Sequence, residues 1–364
     1  RRDGSTKFGQ KNRYGIFPSF SAGWRFTEEN FMASISGFLT DGKIRAGYGI
    51  VGSDAIGNFR YLSLLSGFEY TLNGQTAQGY APKSLENPFI RWEESEQISV
   101  GTDLSFLHNK FTFVFDYYIK NTTGMLIPTP VPATSGIYPK VPSDQSQLSA
   151  AFPIVNIGKV KNTGLELELN YRKAEGIFHY NIGANFSYLK NEVLDMGYEG
   201  NAFNSYRFQG TTVTRTEVGQ PIGSFYGYVT EGIYNDYDEI AAHADQGNTD
   251  PYTYDRTLEP QSHKYTAPGD VIFKDINHDG IINEKDRTFL GSPLPEYIYG
   301  FNIGAEYKNI ALSVFAQGVM GAEIMNLNRY YNEGMVGAGN FAQAALDRWQ
   351  PDANNADFPR AILT

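Results

Sequence analysis

The amino-acid sequence predicts an all-β protein, namely part of a transmembrane antiparallel β-barrel with long extracellular loops. Three observations carry this prediction. Apolar and polar residues alternate with period 2 in several segments, as in strands that have two different faces. These segments reach about ten residues, the length of a membrane-spanning strand, whereas globular strands have about five or six. Short and long connections alternate between them, as in outer-membrane barrels.

The composition agrees with a membrane barrel and argues against other classes. The 364 residues include 38 Gly, 25 Tyr and 25 Phe, and only 41% are hydrophobic. No run approaches the roughly 18 apolar residues of a membrane helix, but a barrel strand needs only alternate apolar residues. A net charge of −10 without a basic stripe argues against nucleic-acid binding. The sequence has no cysteine, which removes disulfides, thiol nucleophiles and Cys-ligated zinc.

The alternation predicts about eight strands. In residues 163–172, one face is apolar and the other polar: Leu165, Leu167, Leu169 and Tyr171 alternate with Glu166, Glu168, Asn170 and Arg172. The same pattern occurs at 96–106, 111–120, 177–189 and 298–307, and more weakly at 17–26, 43–49 and 310–318. Aromatic residues gather near strand ends, where barrels carry interfacial girdles, at Tyr117, Tyr171, Phe178, Tyr188 and Tyr307.

The connections give the predicted barrel two different ends. Short turns occur at 108–110, 173–176 and 308–309, and long polar stretches at 50–94, 121–162, 190–297 and from 319 onward. Short turns are periplasmic in outer-membrane barrels, and long loops are external. The link 27–42 is of intermediate length and is expected to hold a brief helix through Phe31–Leu39.

The size of the loops indicates a larger barrel than eight strands. Loops this long belong to barrels of many strands, and an eight-stranded interior is filled by side chains. We therefore expect residues 1–364 to form one barrel segment that lacks strands at one or both ends.

Residues 275–286 have the spacing of a calcium loop. Side-chain oxygens stand at positions 1, 3 and 5, Gly280 permits a sharp turn, and a carboxylate closes the loop at position 12. The predicted ligands are Asp275, Asn277, Asp279, Ile281 through its carbonyl, Asn283 through water, and Asp286. Position 12 is usually Glu, and here it is the shorter Asp. The predicted Ca²⁺ stiffens an external loop, since no helices flank the segment as in a sensor; the alternative is an Asx-rich turn without an ion.

The other chemical patterns do not indicate catalysis. Glu166 and Glu168 resemble a glycosidase pair, but other inward positions (Asp103, Asp116, Glu306) are equally polar, which favours a lining role. No metal-binding H-E-x-x-H, nucleophile elbow or phosphate loop occurs. Loop aromatics that either stack on ligands or pack in the loops are Trp92, Tyr138, Tyr206, Tyr252 and Tyr254.

Several segments, in this order, resemble the C-terminal barrel region of the SusC/RagA family of TonB-linked outer-membrane transporters of Bacteroidota. They cover nearly the whole chain: 1–5, 17–25, 43–49, 116–118, 160–168, 219–228, 269–270, the calcium-like loop, 315–318 and 347–351. The resemblance implies a barrel of 22 strands with an N-terminal plug and TonB-contacting segment, which this chain lacks, so that it should not transport alone. It also implies a SusD-like surface lipoprotein as partner, TonB as energy source, outer-membrane lipid around the wall, and glycan or peptide as substrate.

Two other functions remain as alternatives. One is a surface-exposed, calcium-stabilised β module that binds glycans through aromatic loops. The other, ranked well below it, is a glycan-cleaving enzyme that uses the inward carboxylates. The expected function is TonB-dependent import of glycans or peptides across the outer membrane, without enzymatic activity.

Overall fold

The fold is taken from a computed structural model that describes residues 1–129, 153–197, 203–208, 211–246, 266–335, 339–352, 356 and 358–361. Within these residues the chain forms twenty strands. In chain order they are β1 (Arg2–Gly4), β2 (Tyr14–Ile16), β3 (Ser19–Arg25), β4 (Leu39–Ser53), β5 (Leu64–Leu72), β6 (Gln75–Ser84), β7 (Glu93–Phe106), β8 (Phe111–Thr123), β9 (Leu126–Pro128), β10 (Ile154–Asn156), β11 (Lys159–Lys173), β12 (Phe178–Asp195), β13 (Phe203–Phe208), β14 (Thr211–Thr216), β15 (Ser224–Tyr228), β16 (Thr230–Ile233), β17 (Val271–Phe273), β18 (Arg287–Gly291), β19 (Tyr297–Tyr307) and β20 (Ile310–Met320).

Helices are few and short in the described residues. Two are α-helical, α1 (Tyr237–Ala242) and α2 (Leu327–Glu333), and the 3₁₀ turns are Phe26–Glu28, Asn30–Ile35, Glu284–Asp286 and Gln343–Asp347. None of the described helices has the length and apolar character needed to cross a membrane. The helix predicted through Phe31–Leu39 is wrong in type and extent: the 3₁₀ turn ends at Ile35, and Leu39 already begins β4.

Eight strands form one antiparallel sheet, which we call the wall. Its strand order is β20-β19-β12-β11-β8-β7-β4-β3, so neighbours in the sheet are also neighbours among the wall strands along the chain. Every one of the eight predicted strands is present, which confirms the prediction. Most are longer than predicted: β4 has 15 residues and β12 has 18.

The register gives the wall two chemically different faces. Residues directly opposite each other in neighbouring strands point to the same side of a sheet. Leu167 lies opposite Phe115 on one side and Phe186 on the other, and Phe186 lies opposite Tyr299. This side, the outer face, is apolar on all eight strands. Its large residues are solvent-exposed in the isolated chain: Phe301 is 42% exposed, Val100 47% and Leu312 60%.

The other side, the inner face, is polar. Opposite residues there include Glu166 with Asp116, Asn185 with Gly300, and Lys43 with Asp103. Serine, glycine and asparagine fill most of the remaining positions. In the described residues the apolar outer face is therefore left uncovered, in contrast to the apolar face of a globular sheet.

The two ends of the wall also differ. At the turn end, 107–110 join β7 to β8, 174–177 join β11 to β12, and 308–309 join β19 to β20. At the loop end, the connections 54–92, 124–158 and 196–296 leave and re-enter the sheet. The predicted alternation of short and long connections is confirmed.

Half of the buried apolar residues of the described chain lie in the connections at the loop end. Phe8, Ile56, Ile90 and Ile154 form one cluster, against which Trp92 and Leu126 pack. Val160, Val193 and Met196 form a second. The loops thus contain strands and small cores that the polar composition of 50–94 and 190–297 did not predict.

The chain divides into two compact units. The first contains the wall and consists of Arg1–Phe203, Thr216–Ile222 and Leu294–Gly321. The second consists of Asn204–Arg215, Gly223–Pro293 and Ala322–Thr364. The second unit holds the sheet β13-β14-β15-β18, the pair β16-β17 and both α-helices.

The outer face predicts a directional effect of charge. Leu167 lies midway along the apolar side of β11, between Tyr171 and Thr163. In the full-length protein we expect Leu167→Arg to lower the free energy of unfolding by about 2–4 kcal/mol, the cost of a cation at the mid-depth of a lipid face. The measurement is urea unfolding in lipid vesicles, followed by the heat-dependent shift in gel mobility of folded barrels.

The control is Glu168→Arg, the neighbouring residue on the inner face. A lining position is hydrated, so its effect should be within about 1 kcal/mol. Equal destabilisation by the two variants would contradict the assignment of the faces.

Candidate functional site

The inner face carries an ion-pair network that links three strands. The guanidinium of Arg45 (β4) contacts Asp103 (β7) at 2.9 Å through both Nε and Nη2, and Nη2 also donates to Asp116 (β8) at 2.8 Å. Arg45 lies opposite Gly101 in β7, and Gly101 lies opposite Asp116. The arginine therefore reaches across a strand whose intervening residue has no side chain. All three ionic groups are about one-third exposed, so water screens the pairs and their contribution to stability is modest.

Glycines on the inner face lie beneath large side chains of the next strand. The ring of Tyr118 covers Gly164, and a Cβ at Gly164 would collide with that ring. Asn185 covers Gly300, and Asn181 covers Gly304, in the same manner. The polar side chains consequently lie flat along the wall instead of projecting from it.

Glu166 and Glu168 both lie on the inner face, as the lining interpretation predicts. Glu168 accepts a hydrogen bond from Asn170 Nδ2 at 2.7 Å, and Glu166 lies opposite Asp116. With Asp103, these carboxylates make the middle of the inner face acidic, and Arg45 offsets only part of that charge. The arrangement is a hydrated, negatively charged lining.

The loop 275–286 in the second unit adopts a tight turn whose polar side chains point back to its own backbone. Asp275 Oδ2 accepts from Gly280 N at 2.9 Å, and Asp279 Oδ1 accepts from Ile281 N at 3.0 Å. Gly280 has φ +81°, the left-handed conformation that the calcium-loop spacing predicts at this position. Asn277 Oδ1 accepts from the Asp279 backbone at 2.9 Å.

Asp286, predicted as the closing ligand, is fully buried. Its Oδ2 accepts from Asn283 N at 2.8 Å and its Oδ1 from Ile276 N at 3.1 Å. These bonds from the Asn283 and Ile276 backbone hold the pKa of Asp286 below its usual range, although burial acts in the opposite direction. Asp286 also forms a capping box with Asn283 at the start of the 3₁₀ turn. The residue therefore stabilises the loop backbone whether or not it also binds an ion.

The loop offers oxygen donors, the ligand type that a hard cation such as Ca²⁺ takes. Asp275 lies within hydrogen-bond reach of the Asp286 carboxyl, and Asp275 Oδ1 is buried without a hydrogen-bond partner among the described residues. Two adjacent carboxylates repel each other unless a proton or a cation lies between them. No group of three His, Asp or Glu side chains suited to a metal was found in the described residues. The remaining oxygens would come from Asn277, Asp279, Asn283 and the Ile281 carbonyl.

Two motif segments that are distant in sequence meet in the second unit. Arg360 makes a bidentate ion pair with Asp270, at 2.7 and 3.1 Å, and its side chain is only 7% exposed. Arg360 N donates to Gly269 O, and the Trp349 ring lies against Gly269. Tyr234, which is 1% exposed, exchanges backbone hydrogen bonds with Gly269 and Asp270, and burial raises its pKa to about 12. The family-like segments 269–270 and 347–351 thus belong to one structural anchor.

The structure assigns a packing role to one of the loop aromatics. Trp92 contacts the rings of Phe8 and Phe17 at centroid distances of 5.2 and 5.3 Å, and its indole N–H donates to Arg13 O at 3.3 Å. Tyr206 lies in β13. Tyr138, Tyr252 and Tyr254 fall outside the described residues, so their proposed stacking stays a prediction.

Sequence reasoning missed the basic partner of the inner carboxylates. Asp103 and Asp116 were recognised as inward-facing, but Arg45 was not. The signal is present in retrospect: Arg45 lies at an inward position of the weak strand 43–49, and the facing strand offers Gly101 between the two acids. Finding it requires the register between residues that lie 58 and 71 positions apart in the sequence, which no local pattern gives.

Comparison with known proteins identifies similar chains across the full length. A family model described as TonB dependent receptor-like, beta-barrel matches residues 1–258. TonB-dependent receptor P3 of Formosa agariphila is 32% identical over 369 residues, covering 100% of this chain and 34% of that protein. TonB-dependent receptor SusC of Bacteroides thetaiotaomicron is 27% identical over 324 residues, covering 86% of this chain and 28% of that protein.

A solved structure has the same fold. A chain of the RagAB peptide transporter superposes with a TM-score of 0.74 at 24% identity, covering 100% of this chain and 36% of that one. The chain spans about a third of the length of the curated relatives it matches.

The anchor in the second unit predicts a large effect for one substitution. Arg360→Ala leaves the Asp270 carboxylate in a mostly buried place without its cation, so we expect the second unit to lose about 3–5 kcal/mol of stability. Limited proteolysis of the folded full-length protein, combined with urea unfolding, measures the loss. Arg360→Lys keeps the charge but not the bidentate geometry, and its stability should lie between that of the parent and that of Arg360→Ala.

The control is Lys274→Ala, which removes an ion pair to Glu231 with an N–O distance of 3.7 Å, in which both side chains are nearly half exposed. Exposed pairs contribute about 0–1 kcal/mol. Protection from protease that is the same in Arg360→Ala and Lys274→Ala would show that the anchor is not structural.

Proposed function

This chain belongs to the TonB-dependent receptor-like β-barrel family, and on that basis we propose that its protein imports nutrients across the outer membrane. In this proposal the chain supplies part of the barrel wall, its polar lining and its extracellular loops. The energy comes through TonB, and the imported solutes are glycans or peptides.

The two-faced wall is the observation that carries the proposal. A soluble monomer rarely exposes an apolar patch larger than a few hundred Å². Here eight strands expose leucine, phenylalanine, isoleucine, valine and tyrosine along one entire side of the sheet, while the other side is polar. Lipid on the outer face and water on the inner face satisfy both sides at once.

The inner face suits the passage of a polar solute. Asn, Ser, Gly and carboxylate groups dominate it, and the large polar side chains lie flat against glycines. Such a lining offers many weak hydrogen bonds, and the exposed Phe315 of β20 is an apolar exception on this face. This supports glycans and peptides alike and does not discriminate between them.

The partners follow from the relatives. Similarity to SusC and to a chain of the RagAB peptide transporter supports a complex with a SusD-like surface lipoprotein at the loop end. The TonB contact would lie in a part of the protein outside the matched third. The family is one of receptors and transporters, and we assign no catalytic role to Glu166 or Glu168.

We also propose that the loop 275–286 binds one structural Ca²⁺ ion. The buried, unpartnered Oδ1 of Asp275 beside the Asp286 carboxyl supports a cation there. The ion would neutralise the two carboxylates and stiffen the loop of an extracellular connection.

The transport proposal predicts how the full-length protein behaves on fractionation. It should sediment with outer membranes, require detergent for release and migrate faster on gels before heating than after, since the outer face needs a lipid or detergent cover. Cells lacking the protein, and cells lacking TonB, should both fail to accumulate the same labelled oligosaccharide or peptide.

Recovery of the folded protein in the soluble fraction would overturn the barrel and favour the surface glycan-binding module. Uptake that continues without TonB would contradict TonB as the energy source but would not contradict the barrel assignment. Co-purification of a lipoprotein from mild detergent tests the partner separately.

The calcium proposal predicts a titration difference between two matched variants. Isothermal titration of the full-length protein with Ca²⁺ should give saturable heat, and Asp275→Asn should weaken binding at least about tenfold because a charged ligand is lost. Glu284→Gln removes the same charge from an exposed residue of the loop that is not a predicted ligand, and it should bind like the parent.

Saturating Ca²⁺ should also protect the loop from protease in the parent and in Glu284→Gln. The absence of calcium heat in the parent, or equal binding by Asp275→Asn and the parent, would leave an Asx-rich turn as the correct description.

A further inference from the structure

The turn end of the outer face has a feature that the import function does not use. Two lysines stand beside aromatic rings there. Lys173 ends the outer-face series of β11 and lies opposite Tyr180 of β12. Lys308 lies in the two-residue turn between β19 and β20, with its ammonium 5.2 Å from the centroid of the Tyr307 ring.

The two lysine–tyrosine pairs lie close together along the rim. Tyr180 and Phe178 are ring neighbours at 5.6 Å, and Phe178 lies opposite Tyr307. Tyr171, the residue that precedes Lys173 on the same face, contacts Tyr180 at 5.8 Å. Aromatic rings thus connect Lys173 to Lys308 across three strands.

Neither lysine has an acidic partner. Among the described residues, no carboxylate lies within 4.0 Å of the ammonium of Lys173 or Lys308. The nearby turn carboxylate of Glu175 pairs with Lys110 at 3.4 Å. His179 and Glu306 face each other on the inner face, 4.0 Å apart. The rim therefore presents two exposed, uncompensated positive charges on the apolar side of the wall.

The loop end of the same face is different. Lys190 occupies an outer-face position of β12, two residues beyond Tyr188, and it pairs with Glu192 at 2.9 Å. Its charge is neutralised within the chain. At the turn end, by contrast, the described residues place no carboxylate within ion-pair distance of Lys173 or Lys308.

The depth of the lysines identifies the partner. Lys173 lies two residues past Tyr171, which is about 7 Å along the strand and about 5 Å along the membrane normal at the usual tilt. Tyrosines of a barrel girdle lie at the boundary between hydrocarbon and headgroups. A lysine one step further extends its apolar stem along the rings and brings its ammonium to the level of the lipid phosphates.

We propose that Lys173 with Tyr180, and Lys308 with Tyr307, form a binding site for the phosphate of a phospholipid headgroup at the short-turn rim of the wall. The proposal rests on the membrane location in the proposed function. Each ammonium donates hydrogen bonds to the phosphodiester oxygens, and the phenol hydroxyl of Tyr307 supplies a further donor. The acyl chains lie on the outer face beside Ala305, a small residue between Tyr180 of β12 and Leu312 of β20.

Lipid binding by the full-length protein in non-ionic detergent tests this site. Native mass spectrometry measures the fraction that retains phosphatidylglycerol as the lipid is titrated. A lysine near an anionic lipid surface contributes about a fivefold change in affinity. We expect about fivefold weaker retention in Lys173→Gln or Lys308→Gln, and about twentyfold or more in the double variant.

Three controls make the result specific. Lys190→Gln, on the same face at the opposite rim, should retain the lipid like the parent. The double variant Lys173→Arg with Lys308→Arg keeps both charges and should also retain it, which separates loss of charge from a folding defect. Diacylglycerol lacks the phosphate, so the parent and the double glutamine variant should retain it equally.

Equal retention by the parent and the double glutamine variant would overturn the site, as would an equal loss in Lys190→Gln. Displacement of the lipid by excess inorganic phosphate would indicate a small-anion site instead. If the parent fractionates with the membrane but its lipid retention does not depend on these lysines, only this site is refuted. A parent that needs no detergent refutes the barrel itself.

Discussion

The structure depends on one constraint: a single sheet must be in contact with lipid on one side and with water on the other. A globular protein covers the apolar side of a sheet with a second layer from the same chain. In the part of the chain that the structure describes, the apolar side of the wall is uncovered, and along most of each strand every second side chain is apolar. Shifting one strand by a single residue would exchange its two faces, so the alternation fixes the register as well as the side that meets lipid.

The inner face is organised by a second requirement, which follows from the first. Large polar side chains can lie flat only if the neighbouring strand leaves space, and glycine provides it. Tyr118 over Gly164, and the asparagines over Gly300 and Gly304, follow this rule. The rule also explains Arg45, which reaches Asp116 across Gly101 and so ties β4 to β8 through a strand between them. The high glycine content of the chain thus serves the lining of the wall as well as its turns.

The sequence predicted the wall well because strand patterns are local. The eight strands, their faces and the alternation of short turns with long connections were all evident from period 2 and from turn residues. Strand ends were less accurate: β4 and β12 continue past the apolar band, where the alternation of hydrophobicity stops but the ladder of hydrogen bonds does not. The link 27–42 was assigned a helix, whereas Phe26–Glu28 and Asn30–Ile35 form 3₁₀ turns and Leu39 already belongs to β4.

The parts that the sequence did not predict are those that depend on distant residues meeting. The loop cores bring Phe8 into contact with Ile90 and Ile154, and the anchor brings Asp270 into contact with Arg360. These residues are too far apart in the sequence for a local pattern to predict the contacts.

The acidic loop was predicted only in part. Its spacing predicted the turn at Gly280 and the positions of the oxygens, but not that Asp286 is committed to the Asn283 and Ile276 backbone. A carboxylate that accepts hydrogen bonds from two backbone N–H groups is held in place by the loop itself. The same reasoning applies to the rim lysines. The role proposed for Lys173 depends on Tyr180 of the neighbouring strand and on the absence of a described carboxylate beside it, and neither is evident from the local sequence. In both places the local pattern gives the type of residue, and the register determines what that residue is able to bind.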